Sequence, residues 1–259
     1  SVRYGHVIGH EISGVICEVG ENVQGYQVGD RVVVENVIPD GSCAMCVSGH
    51  DNICLNRKAI GYEFDGGFAE YVKLPKTSLK HKLPKTFTKE QSVLVEPIAC
   101  GMHALEQADI KNDDVMVISG LGAIGVSMCN LANLKLPKLV IGLEIRDERA
   151  EMAKAYGADI VLNPTACNVA EEIMKLTDGL GCSVYVEASG SPRSAAQGLA
   201  VLCNHGRYVQ MGVLSDLVSA DWNTIGDGKE LTIIGSHLSA NVYPAVIRGI
   251  EKGLIKTDG

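Results

Sequence analysis

The sequence contains no long uninterrupted hydrophobic run and no cluster of basic residues. Charged residues or glycines interrupt every apolar stretch before it reaches the roughly 20 residues that a transmembrane helix requires. Aspartate and glutamate (31) outnumber lysine and arginine (23), and the formal net charge of −8 argues against a nucleic-acid-binding surface. The N-terminus also lacks the basic, apolar and small-residue sections of a secretory signal peptide. These absences predict a cytoplasmic protein that binds neither membranes nor nucleic acids.

The cysteines number nine, and most of them lie singly in apolar surroundings. An odd number in such settings is typical of a reducing compartment and does not indicate a disulfide framework. The length of 259 residues allows one large domain or two ordinary ones, with enough apolar residues for a hydrophobic core.

The first part of the chain is rich in short strand candidates separated by glycine turns. They lie at 11–19, at 32–37 and at 65–75, where a glycine turn leads into a strand that ends at a proline. Short strands at this spacing predict a small β-barrel or sandwich. A helix follows at 89–105, with a break at Pro97.

From residue 114 onward, strand and helix patterns alternate, and this alternation predicts a parallel, doubly wound sheet. Helical stretches include 146–156 and 170–176. The strand candidates are 115–119, 139–143, 160–162, 183–187, 207–211 and 231–234. We therefore predict an α/β chain with one domain at 1–96 and a second at 97–259.

A glycine-rich turn follows the first strand of the second part. Gly120 permits the sharp turn, Gly122 lets a diphosphate approach the backbone, and Gly125 lets the following helix pack closely on the strand. The diphosphate would bind the unpaired amides at the helix N-terminus. The predicted cofactor-binding residues of this turn are Gly120, Leu121, Gly122, Ala123, Ile124 and Gly125.

The next strand candidate, 139–143, is followed by Glu144, about twenty residues after the glycines, the position of a ribose-binding acid in dinucleotide folds. A carboxylate there accepts hydrogen bonds from the adenine ribose and repels a 2′-phosphate, which favours NAD(H) over NADP(H). NADP(H) remains an alternative cofactor because of Arg146 and Arg149, since a nearby arginine can accommodate that phosphate.

A cysteine-bearing segment supplies a second candidate site. Cys43 and Cys46 have the spacing that holds one tetrahedral cation, and Cys54 can supply a third thiolate. Asp40 precedes Cys43 by the same interval and could be the fourth ligand, with His50 as a rival. The alternative is a loop of three ordinary thiols without a metal.

These residues together resemble the zinc-dependent medium-chain dehydrogenase/reductase family, in its polyol branch of sorbitol and threonine dehydrogenase-like enzymes. The resemblance rests on Gly9-His10-Glu11, 25–32, the cysteine segment, 65–71, Glu96-Pro97 and the glycine turn. It implies a GroES-like β-barrel domain followed by a Rossmann domain, with NAD and zinc as cofactors. It also implies a homodimer or homotetramer and a small-molecule alcohol or polyol as substrate.

The resemblance assigns roles to individual residues. His10 would be a ligand of a catalytic zinc, Glu11 a ligand or a carboxylate beside it, and Glu96 the acid that replaces a cysteine ligand of alcohol dehydrogenases. On spacing alone, a lone histidine such as His10 is more often a satisfied core residue than a ligand, and Glu96 could be a helix-end acid and nothing more. Ser189 and Val213 belong to segments that line the nicotinamide. Asp40, Cys43, Cys46 and Cys54 fall on the structural-zinc positions, where Asp40 replaces a cysteine.

The family's first catalytic-zinc cysteine would precede residue 1, and its last segment would follow residue 259, so we expect a chain truncated at both ends. The implied reaction is hydride transfer between a secondary alcohol and NAD, with zinc polarising the hydroxyl. Two segments, 221–226 and 229–237, resemble enzymes of short sugar alcohols such as erythritol or threitol. The alternatives are a catalytically inert NAD-binding module and a zinc-free reductase of the same superfamily.

Overall fold

The structure, a computed structural model, describes residues 5–258, which form two compact units. The first unit extends to Ala99 and includes Leu238–Thr257, and the second contains Cys100–His237. The sequence places the boundary after residue 96, three residues earlier, and extends the second domain to residue 259. The structure groups Leu238–Thr257 with the first unit instead.

The second unit contains a six-stranded parallel sheet. Its strands are β6 (Val115–Ser119), β7 (Leu139–Leu143), β8 (Ile160–Leu162), β9 (Cys182–Glu187), β10 (Leu202–Gln210) and β11 (Thr232–Gly235). In space they are ordered β11-β10-β9-β6-β7-β8. This is the Rossmann strand order, so the predicted doubly wound sheet is confirmed. The order reverses between β6 and β9, and the carboxyl ends of these two strands are therefore where a Rossmann fold binds its ligand.

Four helices of the second unit alternate with the strands: α3 (Ala123–Asn133), α4 (Asp147–Ala155), α5 (Val169–Leu176) and α6 (Pro192–Val201). The central strands β6, β7 and β9 form the core because most of their residues are apolar and buried. Tyr185 and Tyr208 stack with ring centroids 5.8 Å apart. Gly198 of α6 packs against them, since a Cβ there would lie 2.6 Å from Tyr185.

The first unit has shorter strands. A three-stranded antiparallel sheet contains β1 (Ile12–Val15), β2 (Arg31–Val34) and β5 (Lys80–Lys82), and β3 (Val37–Ile38) pairs with β4 (Lys58–Ala59). A small core of Ile12, Val34, Ile38 and Ile60 lies beneath them. The remaining helices are the short α1 (Ala44–Val47), α2 (Lys89–Ala108), which continues into the second unit, and α7 (Tyr243–Glu251).

Three sequence predictions for this part need correction. The strand predicted at 11–19 is confined to Ile12–Val15, and the one at 32–37 is interrupted between β2 and β3. The segment 65–75 forms no strand. Instead, the amides of Gly66, Gly67 and Phe68 donate to carbonyls of residues 7–9 at 2.7–3.0 Å. These three bonds are too few to make a strand ladder.

The predicted break at Pro97 is also wrong, since α2 is one continuous helix. Proline removes one backbone hydrogen bond and crowds the preceding turn, at a cost of about 3 kcal/mol in a helix interior. The flanking turns offset this cost by burial, because Val95, Ile98 and Ala99 are at most 2% exposed. Among residues 5–258, no helix combines the length and apolar character needed to cross a membrane.

Candidate active site

The backbone around His10 is held by close glycine contacts. Gly9 has a φ of +100°, in the left-handed region that favours glycine. A Cβ on Gly66 would lie 2.2 Å from the Gly9 carbonyl oxygen, and one on Gly61 would lie 2.7 Å from it. Three glycines therefore let two loops approach the segment that carries His10. This explains why the Gly-His-Glu and Asp-Gly-Gly motifs, far apart in sequence, belong together.

His10, Glu11 and Glu96 form one group of metal-ligand atoms, all within 4.8 Å of one another. Glu96 projects from α2 and is 3% exposed, Glu11 is exposed, and His10 is half-buried. The His10 ring lies 5.8 Å from the Tyr62 ring, centroid to centroid. An imidazole and two carboxylates are ligand types that zinc accepts. The structure thus brings together the three side chains that the resemblance selects.

The cysteine segment forms a second group, whose ligand atoms also lie within 4.8 Å of one another: Asp40, Cys43, Cys46 and Cys54. Cys43 Sγ is 3.6 Å from Cys46 Sγ and 3.8 Å from Cys54 Sγ. Zinc–sulfur bonds of about 2.3 Å in a tetrahedron give sulfur–sulfur separations of about 3.8 Å. The thiols are free, not disulfide-bonded, and their spacing fits a single ion.

Backbone amides support the sulfurs of this lobe (residues 40–54), as they do in many thiolate metal sites. The Leu55 amide donates to Cys43 Sγ at 3.5 Å, and the Asp40 amide donates to Cys54 Sγ at 3.4 Å. A hydrogen bond from a backbone amide is the largest cause that lowers the pKa of Cys43. The lowered pKa of Cys43 favours the thiolate form that a metal requires.

Asp40 is held as a charged acceptor. Its Oδ1 accepts from the amides of Ser42 (2.8 Å) and Cys43 (2.9 Å), and its Oδ2 accepts from Asn56 Nδ2 (2.6 Å). The Ser42 amide is the largest cause that lowers the pKa of this carboxyl, followed by Asn56. Oδ2 keeps one lone pair for a metal. The rival His50 lies outside the group, and its Nδ1 hydrogen-bonds Ser48 Oγ at 3.0 Å.

The glycine turn connects β6 to α3 in the second unit. Gly120 has a φ of +93°, and a Cβ there would lie 2.6 Å from Ser189 Cα. A Cβ on Gly125 would lie 2.0 Å from the Gly120 carbonyl oxygen, so only glycine allows α3 to begin this close to the turn. Apart from its chain neighbours, a Cβ on Gly122 would meet no atom of residues 5–258 within 4 Å. This is the open approach that a diphosphate would need.

The other predicted residues of the turn differ in exposure. Leu121 is fully buried, Ile124 is half-buried and Ala123 is exposed at the first position of α3. The first amides of a helix lack intrahelical partners, and α3 therefore presents donors at the turn. A dinucleotide diphosphate fits this arrangement.

Glu144 lies directly beside the turn, at the end of β7. Its Oε2 accepts from the Leu121 amide (3.0 Å), and its Oε1 accepts from the amides of Ile145 (2.9 Å) and Arg146 (3.0 Å). The carboxylate, which is 7% exposed, therefore holds the turn, and Oε2 has a second lone pair. Arg149 is exposed on α4.

Ser189 and Val213 follow the neighbouring strands β9 and β10, and both side chains are exposed, Val213 by 92%. The sequence analysis did not single out Glu187, the last residue of β9. Its side chain is 0% exposed and accepts a hydrogen bond from the Ser189 amide. A signal for it existed, since Glu187 is the one charged residue in an otherwise neutral strand, Cys182–Glu187.

Two family models match the chain. The first, described as alcohol dehydrogenase GroES-like domain, matches residues 1–85, and the second, described as zinc-binding dehydrogenase, matches residues 120–252. Erythritol/L-threitol dehydrogenase of Mycolicibacterium smegmatis is 35% identical over 96% of this chain and 70% of its own length. L-threonine 3-dehydrogenase of Pyrococcus abyssi is 36% identical over 97% of this chain and 72% of its own length.

Solved structures agree with these relatives. A zinc-binding dehydrogenase of Sinorhizobium meliloti bound to NADP has a TM-score of 0.91 at 29% identity, over 98% of this chain and 75% of that one. A short chain alcohol dehydrogenase of Escherichia coli complexed with NADH has a TM-score of 0.90 at 33% identity, with the same coverages. The two differ in the dinucleotide that they bind.

Proposed function

The chain belongs to the zinc-binding dehydrogenase family, and from that premise we propose that it is a zinc-dependent NAD(H) oxidoreductase. The proposed reaction interconverts a secondary alcohol, in particular a polyol, and its ketone. The observation that carries the proposal is the group formed by His10, Glu11 and Glu96. A nucleotide-binding module without catalysis would have no need to bring an imidazole and two carboxylates within reach of one ion.

Each cofactor would be bound by a separate set of residues. His10 and Glu96 would bind the catalytic zinc, with Glu11 as a further ligand or as a carboxylate beside it. When bound, zinc is a Lewis acid that lowers the pKa of an alcohol hydroxyl. When bound, the nicotinamide accepts or donates the hydride. The lobe of residues 40–54 would hold a second, structural zinc through Asp40 and three thiolates.

The remaining residues bind and orient the dinucleotide. The amides at the start of α3 would hold the diphosphate over Gly122, where no side chain obstructs it. Glu144 would accept from the adenine ribose, and its negative charge would disfavour a 2′-phosphate. We therefore propose NAD(H) as the physiological cofactor, although the structural neighbours include an NADP complex. Ser189 and Val213 would face the nicotinamide.

A polyol is the preferred substrate class because erythritol/L-threitol dehydrogenase is among the relatives. L-threonine is the second candidate, since L-threonine 3-dehydrogenase has similar identity. Relatives with both names match nearly the whole chain, so the substrate must be identified by assay. We also propose a homodimer or homotetramer, as the family resemblance implies.

The test combines metal analysis with an activity screen on the same preparation. We expect two zinc ions per chain, binding of NADH, and reduction of NAD with erythritol, threitol or sorbitol, followed at 340 nm; L-threonine is the comparison substrate. One zinc per chain with NADH binding but no turnover on alcohols or ketoses would favour the inert module. Turnover without any zinc would favour the zinc-free reductase.

A further inference from the structure

A fully buried carboxylate lies at the carboxyl end of the sheet, between two loops. Glu187 is 0% exposed. Its Oε1 accepts from the Ser189 amide (2.9 Å) and from the Ser189 hydroxyl. Its Oε2 accepts from the Gly190 amide and from Gln210 Nε2, both at 3.2 Å. All of these hydrogen-bond donors are neutral.

Burial of this group is costly, and strand pairing does not require it. A carboxylate removed from water loses solvation that neutral donors replace only in part. The main chain of Glu187 pairs with Ser119 and Gln210 on the neighbouring strands regardless of its side chain. An apolar residue would satisfy the sheet at lower cost. The carboxylate must therefore contribute something other than core stability.

Its hydrogen bonds join the loops that follow β9 and β10. The side chain holds residues 189 and 190 of the first loop. The main-chain oxygen of Glu187 accepts from the amides of Met211 (3.0 Å) and Gly212 (2.7 Å) in the second loop. Gln210 completes the connection, because its Nε2 donates both to Glu187 and to the Gly212 carbonyl (2.6 Å).

The two loops are also in direct contact. A Cβ on Gly212 would lie 2.4 Å from Glu187 Oε2, and a Cβ on Gly190 would lie 2.5 Å from the Val213 carbonyl oxygen. The loops therefore cross with almost no free space, and the carboxylate lies at the crossing. The two side chains that emerge beyond it, Ser189 and Val213, are exposed.

We propose that Glu187 is a positioning residue for the nicotinamide half of the cofactor. Its carboxylate fixes the backbone conformation of residues 188–190 and, through Gln210, that of residues 211–213. Ser189 and Val213 then present a preformed surface to the nicotinamide ring. Preformed loops cost less to order on binding than mobile ones. The inference rests on the proposed NAD(H) function, and it assigns no contact between Glu187 and the substrate.

The test separates the two halves of the cofactor. NADH contains the nicotinamide, whereas ADP-ribose contains only the adenine, the riboses and the diphosphate. In Glu187→Gln, Nε2 would face the Gly190 amide and Gln210 Nε2, placing donors against donors. We expect calorimetry to show an about tenfold or larger loss of NADH affinity, while ADP-ribose affinity changes by less than about twofold.

Glu144→Gln is the matched comparison, because Glu144 lies beside the glycine turn. It should weaken NADH and ADP-ribose by the same factor. Ser189→Ala removes the hydroxyl donor to Glu187 and keeps the backbone amide donors of residues 189 and 190. It therefore provides a milder variant should Glu187→Gln fold poorly. We expect it to weaken NADH by about threefold and to leave ADP-ribose unchanged.

Equal losses of both ligands in Glu187→Gln and Ser189→Ala, or no loss in either, would overturn the inference. In that case Glu187 would be a component of the core only. Failure of the proposed NAD(H) binding has a different signature, because the unmodified protein would then bind neither ligand, and failure of catalysis alone appears in the turnover assay and leaves both affinities unchanged.

Discussion

The two units hold their candidate binding residues in place in different ways. In the second unit, the glycine turn, Glu144 and Ser189 all follow strands of one parallel sheet whose neighbours are hydrogen-bonded along their length. In the first unit, strands contain two to four residues, and the candidate metal ligands lie on loops and on α2. The proposed nucleotide site is thus supported by a continuous core, whereas the candidate ligand groups of the first unit depend on short loops.

This difference concerns the source of rigidity. Side chains at strand ends are held in position by the rigid sheet and need no ligand to stay in place. Ligands on loops gain cohesion when an ion binds, so metal binding and local folding are linked. We therefore expect metal loss to affect the first unit strongly and to spare nucleotide binding by the second. The predictions below test that separation.

The largest effect should follow His10→Ala. Loss of the imidazole removes the only nitrogen ligand of its group, so kcat/KM should fall by on the order of 10³-fold. Zinc content should fall by one ion per chain, while the Kd for NADH in the absence of substrate stays the same. Unchanged zinc content with kcat/KM near that of the unmodified protein would show that His10 is a core residue and not a ligand.

The next largest effect should follow Cys43→Ser in the lobe. With the structural ion lost or weakened, the free energy of unfolding should fall by about 3 kcal/mol, measured by denaturant titration. Cys17→Ser is the control, because Cys17 is an exposed thiol outside the lobe. A chelator should destabilise the Cys17 variant and have little further effect on the Cys43 variant. If both variants match the unmodified protein in stability and zinc content, the lobe contains three ordinary thiols.

In the second unit, two glycines should separate stability from binding. Gly125→Ala places a Cβ 2.0 Å from a carbonyl oxygen, and we expect an overpacking loss of about 1–3 kcal/mol in the free energy of unfolding. Gly122→Ala places its Cβ in open space, so stability should change by less than about 0.5 kcal/mol. Both should bind NADH more weakly. Full NADH affinity in Gly122→Ala would place the diphosphate elsewhere.

The smallest effect concerns the choice of dinucleotide. Glu144→Gln removes the negative charge that would face a 2′-phosphate, and the ratio of NADPH to NADH affinity should rise by about tenfold. Arg149→Ala should move the same ratio in the opposite direction, because the exposed guanidinium would no longer attract that phosphate. An unaltered ratio in both variants would mean that neither residue lies near the adenine ribose.

The second unit could be predicted in some detail from the sequence. Candidates 115–119, 139–143 and 160–162 coincide with β6, β7 and β8, because parallel strands inside a sheet appear as short, nearly continuous apolar runs. Gly120 and Gly125 have the conformational and packing reasons that the motif predicts, and Gly122 leaves open space beside the backbone. Such features depend on neighbours in the chain, so a local pattern is enough to find them.

Predictions for the first unit were less accurate, since its organisation is not local. The segment 65–75 has a strand-like composition, yet its glycines instead allow backbone contacts with residues 7–9. Pro97 predicts a break, but burial on both sides keeps α2 intact. The roles of His10 and Glu96 came from family resemblance, because a lone histidine and a helix-end acid carry no spacing signal.

The sequence by itself determined the family, the parallel sheet, the glycine turn and the four-residue pattern of the lobe. Each of these depends on short-range periodicity or on ligand spacing within one loop. Only the tertiary structure brought Glu96 to His10 across more than eighty residues and placed Glu187 at the crossing of two loops. Contacts of that kind follow from how separate elements pack, and a residue's sequence neighbours do not determine them.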